Sequence, residues 1–436
     1  MFDEDTIIGL SSGGLPSGIA VIRLSGPNCR ISLAKHGICE LHPRKASLVS
    51  IKRPGDGELL DRGLCIWFPS PYSFTGQDCA ELHIHGGRAV VDAVLNSFLE
   101  LDGVRLADAG EFTRRAFENG KFDLTEVEGI SDILSSQTEA QRKQAVGQIG
   151  GKLREIYEEW RKRLIKIQAM IEAEIDFSDE DDIPADVSAR GIADLILLKN
   201  EIGKHLNDGR SGEIIRDGFR VVIMGAPNTG KSTLINAFAK REVAIVTEQA
   251  GTTRDIIDVH LNIGGYEVIV SDTAGIRPTE DVVEREGIHR AESLGREADL
   301  IVWLSEQGAD TECLLDQSGE RYIFLRSKDD EGVHAVGESI SCITGHGMDW
   351  LLNEIKRVLK FRMGDGGEAL ITRKRHRLGL MECEKLLEEA INCNRDDLDI
   401  LAEVVRNTGT SLSRLTGRID VEDLLDVIFA EFCVGK

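Results

Sequence analysis

The sequence is short of several things, and each shortage excludes something. Its nine cysteines stand singly, without a C-x-x-C pair, so a zinc ribbon or a dithiol redox motif is not expected. An odd number of scattered thiols suits a reducing compartment. No run approaches the roughly 18 consecutive apolar residues of a membrane-spanning helix. The opening M-F-D-E-D-T-I-I-G-L lacks the charged, apolar, then small-residue order of a signal peptide and the Arg/Ser bias of a transit peptide. The expected location is therefore cytoplasmic, away from membranes. No G-x-G-x-x-G occurs, so flavin or dinucleotide chemistry is not expected of this chain. Positive charge is also scarce. Against 75 Asp and Glu stand 52 Lys and Arg, a net charge of -23. That argues against sequence-blind coating of nucleic acid, which runs on phosphate neutralisation, but leaves room for RNA contact on one local face.

What is present is ordinary soluble composition, 41% hydrophobic and 29% charged, over 436 residues. That length exceeds what one core supports, so two or three domains are expected. Residues 1–120 have an α+β pattern, with strands at I19-A-V-I-R-L-S25 and A80-E-L-H-I-H-G-G87 and a helix over 88–101. Residues 121–213 are helical in pattern. Residues 214–362 alternate strand and helix, with strands at 219–224, 268–271, 300–304, 322–325 and 339–343, which predicts a doubly wound parallel sheet. Residues 363–436 return to a helical pattern. The Gly-rich stretches G209-R-S-G212 and M363-G-D-G-G367 flank the α/β part. The economical arrangement is an α/β domain inserted into a split helical domain. Four separate domains would leave a C-terminal helical piece marginal for its size. The acidic run 172–182 suits a solvated helix end and loop better than a cation site. His83 and His85 lack accompanying ligands and are expected to pack against neighbours rather than hold a metal.

The α/β part carries the motifs of a nucleotide switch. G225-A-P-N-T-G-K-S232 follows an apolar strand and precedes a helix pattern, the context a P-loop requires. Its backbone N–H groups can wrap phosphates, Lys231 can reach the β- and γ-phosphates, and Ser232 can bind Mg²⁺. Asn228, Thr229, Gly230 and Thr233 complete the phosphate side. The polar loop from Thr247 through Glu248, Gln249, Ala250, Gly251 and Thr252 supplies Thr253 as the second Mg²⁺ hydroxyl. Asp272, Thr273, Ala274 and Gly275 form the D-x-x-G segment, with Asp272 near Mg²⁺ and Gly275 sensing the γ-phosphate. Ser327, Lys328 and Asp330 have the shape of the guanine-reading N-K-x-D motif, with serine in place of asparagine. Ser341, Cys342 and Ile343 fit the loop behind the base. Together these point to GTP. The residue after D-x-x-G is Ile276, which cannot orient water, so another group must do so and another positive charge must steady the transition state.

The P-loop, A-I-V-T-E-Q-A-G-T-T-R-D, D-T-A-G-I-R-P-T-E-D-V-V-E-R-E-G-I and the tail F-C-V-G-K resemble the MnmE (TrmE) family of tRNA modification GTPases over essentially the whole chain. The resemblance implies an N-terminal folate-binding and dimer-forming domain, a split helical domain and an inserted Ras-like G domain. It implies a bound K⁺ as the missing charge, held by Asn228, Thr247, Gln249 and Thr252, and Glu284 as the residue that orients water. Arg23, Glu81 and Lys121 match positions that contact a 5-formyl- or methylene-tetrahydrofolate. Lys436 is implied as a further folate contact. The implied work is modification of C5 of the wobble uridine of certain tRNAs. It would be done as a homodimer with an FAD-dependent MnmG (GidA) family partner, in a heterotetramer, with FAD belonging to the partner. Departures are Ser327, which lowers the expected guanine affinity, and Val434 where isoleucine also occurs.

Two features stay open on sequence grounds. Cys433 suits either a nucleophile or general acid, if a nearby cation lowers its pKa, or a small packing residue. The cluster R373-K-R-H-R377 suits either an RNA or partner contact or a solvated helix start. A different class of function, a regulatory or ribosome-assembly GTPase without modification chemistry, would leave the N-terminal motifs and the Cys-bearing tail without a purpose.

Overall fold

The computed structural model describes residues 5–176, 187–208, 210–241, 243–245, 258–272, 295, 298–306, 321–363, 371–394, 397–419, 425, 426, 428, 429, 432 and 435, with backbone alone at 187–189 and 272. They divide into two compact units. The first comprises 1–131, 154–158 and 412–436; the second comprises 132–153 and 159–411.

The first unit is built on a six-stranded sheet of order β3-β4-β5-β2-β1-β6. Its strands are β1 (Thr6–Leu10), β2 (Ser17–Ser25), β3 (Ala46–Lys52), β4 (Leu59–Phe68), β5 (Cys79–Gly86) and β6 (Val104–Leu106). Pairing is antiparallel except between β1 and β6. Side chains alternate across each strand, so Ala20, Ile22 and Leu24 of β2 and Ala80, Leu82 and Ile84 of β5 all enter one core. Helices α1 (Cys29–Lys35) and α2 (Arg88–Leu99) close that core through Leu33, Val91, Val94 and Phe98. The same alternation turns Arg23 and Glu81 to the opposite face. Helix α3 (Glu111–Glu118) follows, then α4 (Leu124–Ser135).

The C-terminal stretch joins this unit. Leu425, Ile428, Phe429 and Phe432 are buried with Leu124 and Val127 in a separate apolar cluster. The Ser11 hydroxyl donates to the Gly435 carbonyl at 2.6 Å. Gly435 has φ +94, and a Cβ there would stand 1.9 Å from the Leu10 carbonyl oxygen, so the approach admits only glycine.

In the second unit the helices are α5 (Glu139–Ile149), α6 (Lys152–Asp176), α7 (Val187–Leu206), α8 (Ser211–Asp217), α9 (Lys231–Ala239), α10 (Met348–Met363), α11 (Lys374–Ile391) and α12 (Leu398–Leu415). Residues 154–158 of α6 and 412–415 of α12 belong to the first unit, and 132–135 of α4 to the second. The sheet has order β11-β10-β7-β9-β8, from β7 (Phe219–Gly225), β8 (Asp258–Ile263), β9 (Tyr266–Asp272), β10 (Leu300–Ser305) and β11 (Tyr322–Arg326). Four strands are parallel. Their near-continuous Val, Ile and Leu runs are buried on both faces, as a doubly covered sheet demands. Two features depart from the expected sheet. Strand β8, not foreseen, pairs antiparallel with β9 at the edge. Residues 339–343 form no strand; Ser339 makes only isolated bridges, with Arg326 and Val336. Within this unit α5 grips the β8–β9 hairpin. A Thr138/Gln141 capping box starts the helix. Ala140 N–H donates to the Gly265 carbonyl, and the Gln141 amide donates to the Arg216 carbonyl and to Glu267. No helix among the described residues is long and apolar enough to cross a membrane.

Candidate functional site

The phosphate side is assembled where β7 gives way to α9. Gly225 ends the strand at φ +143, with a Cβ there only 2.2 Å from the Leu304 carbonyl oxygen. Asn228 then adopts left-handed backbone at φ 64, and Gly230 at φ 91 caps α9. Positive φ at a non-glycine costs energy and persists only where the surroundings hold it. Here the Thr229 hydroxyl fastens the loop by donating to the Ala226 carbonyl at 2.8 Å. Lys231 Nζ donates to the Gly225 and Ala226 carbonyls at 2.9 and 2.8 Å, so its ammonium already lies over the loop. Ser232 and Thr233 are exposed in the first turn of α9. A helix N-terminus, a lysine over the loop and an exposed hydroxyl together fit a magnesium-bound polyphosphate. Asp272 ends β9 opposite Ile223 of β7, which brings its backbone to the same end of the sheet. Thr273, Ala274, Gly275, Glu284 and the loop with Thr247, Glu248, Gln249, Ala250, Gly251, Thr252 and Thr253 lie outside the described residues.

The base side is formed after β11. Lys328 is left-handed at φ 62, and its ammonium pairs with Glu306. The Ser341 hydroxyl donates to Asp330 Oδ1 at 2.6 Å and accepts from the N–H groups of Ile343 and Thr344. Asp330 is thereby oriented, while Ile343 projects into solvent. Cys342 sits half-buried in the same loop; burial first, and Asp330 second, push its thiol pKa up. Ser327 Oγ is buried with no hydrogen-bond partner among the described residues. No motif singles out Asp329, whose buried carboxylate ties Ser339, Val333 and His334 together. The acidic doublet at 329–330 was its only signal.

A second site lies on the face of the first unit's sheet opposite the core that holds Ile22 and Leu82. Arg23 and Glu81 are opposite in register on β2 and β5 and hydrogen-bonded at 2.8 Å. With Arg44, Phe68, Tyr72, Ser73, Phe74 and Cys79 they line a cavity of about 270 Å³. Arg23 also lies over the Phe74 and Phe112 rings, 5.1 and 5.7 Å from their centroids. Pockets for drug-sized ligands run to roughly 300–1,000 Å³, so this one suits a single flat ring system with a cation and an anion at its edge. Lys121 does not line it; its side chain packs on Gly76 of the loop that carries Tyr72 and Phe74. Arg44, Tyr72 and Phe74 escaped the sequence analysis because they arrive from loops with no motif. Cys433 and Lys436 lie outside the described residues. His85 pairs with Asp61 at 2.9 Å, and among the described residues no group of His, Cys, Asp and Glu suits a metal.

The basic cluster at the start of α11 is neither of the two things expected of it in full. Arg373 pairs with Asp132 at 2.9 Å, where Arg216 also arrives at 3.3 Å. Arg377 bridges Asp208 and Glu213 at 2.8 and 2.9 Å. These two arginines clasp the helical segments to α8 and are largely buried, so they are not open to RNA.

Two family models match the chain. One described as "MnmE helical domain" covers residues 124–433, and one described as "GTP-binding protein TrmE N-terminus" covers residues 6–121. The chain is 48% identical over 442 residues to a protein of Agrobacterium fabrum named tRNA modification GTPase MnmE, covering 99% of both. It is 46% identical over 438 residues to the protein of that name from Brucella melitensis, covering 99% of this chain and 98% of the relative. Among solved structures, Aquifex aeolicus Era bound to GDP·AlF4⁻ aligns at 24% identity over 38% of this chain and 66% of that one, with a TM-score of 0.24.

Proposed function

The chain belongs to the MnmE (TrmE) family of tRNA modification GTPases, and we propose that it couples GTP hydrolysis to modification of C5 of the wobble uridine in certain tRNAs. The observation that carries the GTPase half is the loop at 225–231, already wound to receive phosphates with Lys231 over it. Mg²⁺ would be held by Ser232 and Thr253, with Asp272 behind its water shell. K⁺ would be held by Asn228, Thr247, Gln249 and Thr252, whose carbonyls and hydroxyls are the hard oxygen donors such an ion takes. Glu284 is assigned the orientation of the attacking water. The modification half rests on the Arg23–Glu81 pocket. A reduced folate presents a donor–acceptor ring edge for Glu81 and carboxylates for cations such as Lys121 and Lys436. A one-carbon unit is what it would supply when bound. Cys433 is the thiol of this chain nearest in sequence to Lys436, and is assigned to that site. The homodimer, the FAD-dependent MnmG family partner and cytoplasmic location complete the proposal.

One reconstitution tests it. Purified chain, partner, tRNA, GTP and a reduced folate are incubated, and wobble nucleosides are analysed by mass spectrometry. The expected result is a modified uridine that depends on GTP and on folate; unmodified uridine under all conditions overturns the modification half. GTP turnover in KCl should far exceed that in NaCl at equal ionic strength, and equal rates would remove the role of Asn228. Glu284→Ala should bind GTP normally and turn over at least ~10²-fold more slowly. Cys433→Ser should keep GTP turnover and lose modification; full modification would make the cysteine structural.

A further inference from the structure

We propose that Asp329 is a positioning residue for guanine recognition, fastening the base-reading segment in place of the side chain at 327. Serine is shorter than the usual asparagine at that position, and its hydroxyl is buried without a partner among the described residues. Only the backbone of Ser327 is anchored, through its N–H to the Ser305 carbonyl at 2.9 Å. The next residue, Lys328, holds left-handed backbone, a conformation that does not persist in a lysine unless its neighbours are fixed.

Asp329 supplies that fixation. Its side chain is 4% exposed. Oδ1 accepts from Val333 N–H at 3.0 Å. Oδ2 accepts from His334 N–H at 3.0 Å and from the Ser339 hydroxyl at 2.7 Å. The His334 and His346 rings stand 3.4 and 4.0 Å from Oδ2. The Asp329 N–H donates to the Ile340 carbonyl at 3.2 Å. One carboxylate thus joins the turn 329–334 to the segment 339–341. That segment carries Ser341, whose hydroxyl orients Asp330. Asp330 is held from both directions, by the backbone of Asp329 and by a serine whose place Asp329 sets. Apart from the His346 ring, the partners of Asp329 among the described residues lie on these two segments, so it acts on the nucleotide through Asp330. A buried carboxylate is costly unless its oxygens are filled, and filling them requires both segments to close on it. This also explains why 339–343 is not a strand: Ser339 and Ser341 turn inward to Asp329 and Asp330 rather than extending the sheet.

The test uses the full chain, with fluorescent GDP and GTP and their inosine counterparts, which lack the 2-amino group. Asp329→Ala should raise the dissociation constant for GDP by ~10-fold or more, mainly through faster release, and narrow the preference for guanine over inosine. Turnover at saturating GTP should stay within ~2-fold, because the phosphate machinery is untouched. Ser339→Ala, which removes one hydroxyl and leaves the chain able to fold, should move affinity and base preference in the same direction by less. Ser327→Asn placed in the Asp329→Ala chain should restore much of the lost affinity. Unchanged GDP affinity and guanine preference in both Asp329→Ala and Ser339→Ala would overturn the proposal. Failure of Ser327→Asn to restore binding would overturn the sharing of the role between 327 and 329.

Discussion

Arg23 Nε and Nη2 converge from β2 on one oxygen of Glu81, Oε1, at 3.1 and 2.8 Å, leaving Oε2 turned toward His83 Nε2 at 3.7 Å. A carboxylate held by one oxygen keeps the other for a ligand. Glu81→Gln preserves the shape but removes the anion. It should weaken binding of a reduced folate by ~10-fold or more, since hydrogen bonds to charged groups contribute about 1.5–3 kcal/mol. Calorimetric titration reads this directly. GTP turnover without folate should be unchanged.

The clasp around Asp132 makes a stability prediction. Its carboxylate is buried between Arg373 and Arg216. Removing one member of a buried ion pair strands the other, at a cost of about 3–5 kcal/mol. Asp132→Ala should therefore lower the unfolding midpoint of the second unit in urea, and pairing it with Arg373→Met should recover part of the loss. Equal midpoints for Asp132→Ala and wild type would show the clasp to be ornamental.

Acid should act on the first unit through Glu111. Burial alone would raise its pKa, but hydrogen bonds from Arg105, the Asp108 N–H and Arg115 outweigh this and hold it below the ordinary 4.5. A carboxylate with a lowered folded pKa adds stability that is complete above its unfolded value. That stability is lost as pH falls from about 4.5 through the lowered pKa. Thermal unfolding between pH 7 and 3 should show this loss in the wild type. Glu111→Gln should be less stable at pH 7 and flatter in that acid range.

Gly435→Ala tests the docking of the C-terminal stretch. The added methyl would collide with the Leu10 carbonyl in a backbone region that disfavours alanine. The expected result is faster amide exchange at Phe429 and Phe432, with the P-loop unaffected. Wild-type protection would mean that the glycine is dispensable.

The parts legible in the sequence were those where one local pattern decides. The parallel strands show as apolar runs, and the P-loop as glycines between a strand and a helix. The run I19-A-V-I-R-L-S25 falls within β2, and the alternation of the strand turns Arg23 away from the core. Strand β8 was missed because D258-V-H-L-N-I263 buries few of its side chains fully, as an edge strand does. The run 339–343 looked like a strand, but its two serines are committed to neighbouring aspartates, which no local pattern reveals. The arginines at 373 and 377 looked like a surface charge run; their partners lie more than 150 residues earlier, at Asp132, Asp208 and Glu213. The T138-E-A-Q141 capping box was readable and went unread.

The Ser11–Gly435 bond spans 424 residues. Phe429, Phe432 and Gly435 cannot close on the first unit until the whole of 132–411 has left the ribosome. The first unit must therefore wait, sheet formed but Leu124 and Val127 uncovered, while an entire second unit is made and folds. Ordering of those two side chains is then a late event in biogenesis, and a ribosome stalled within the second unit would hold a first unit open to chaperones at that one apolar patch.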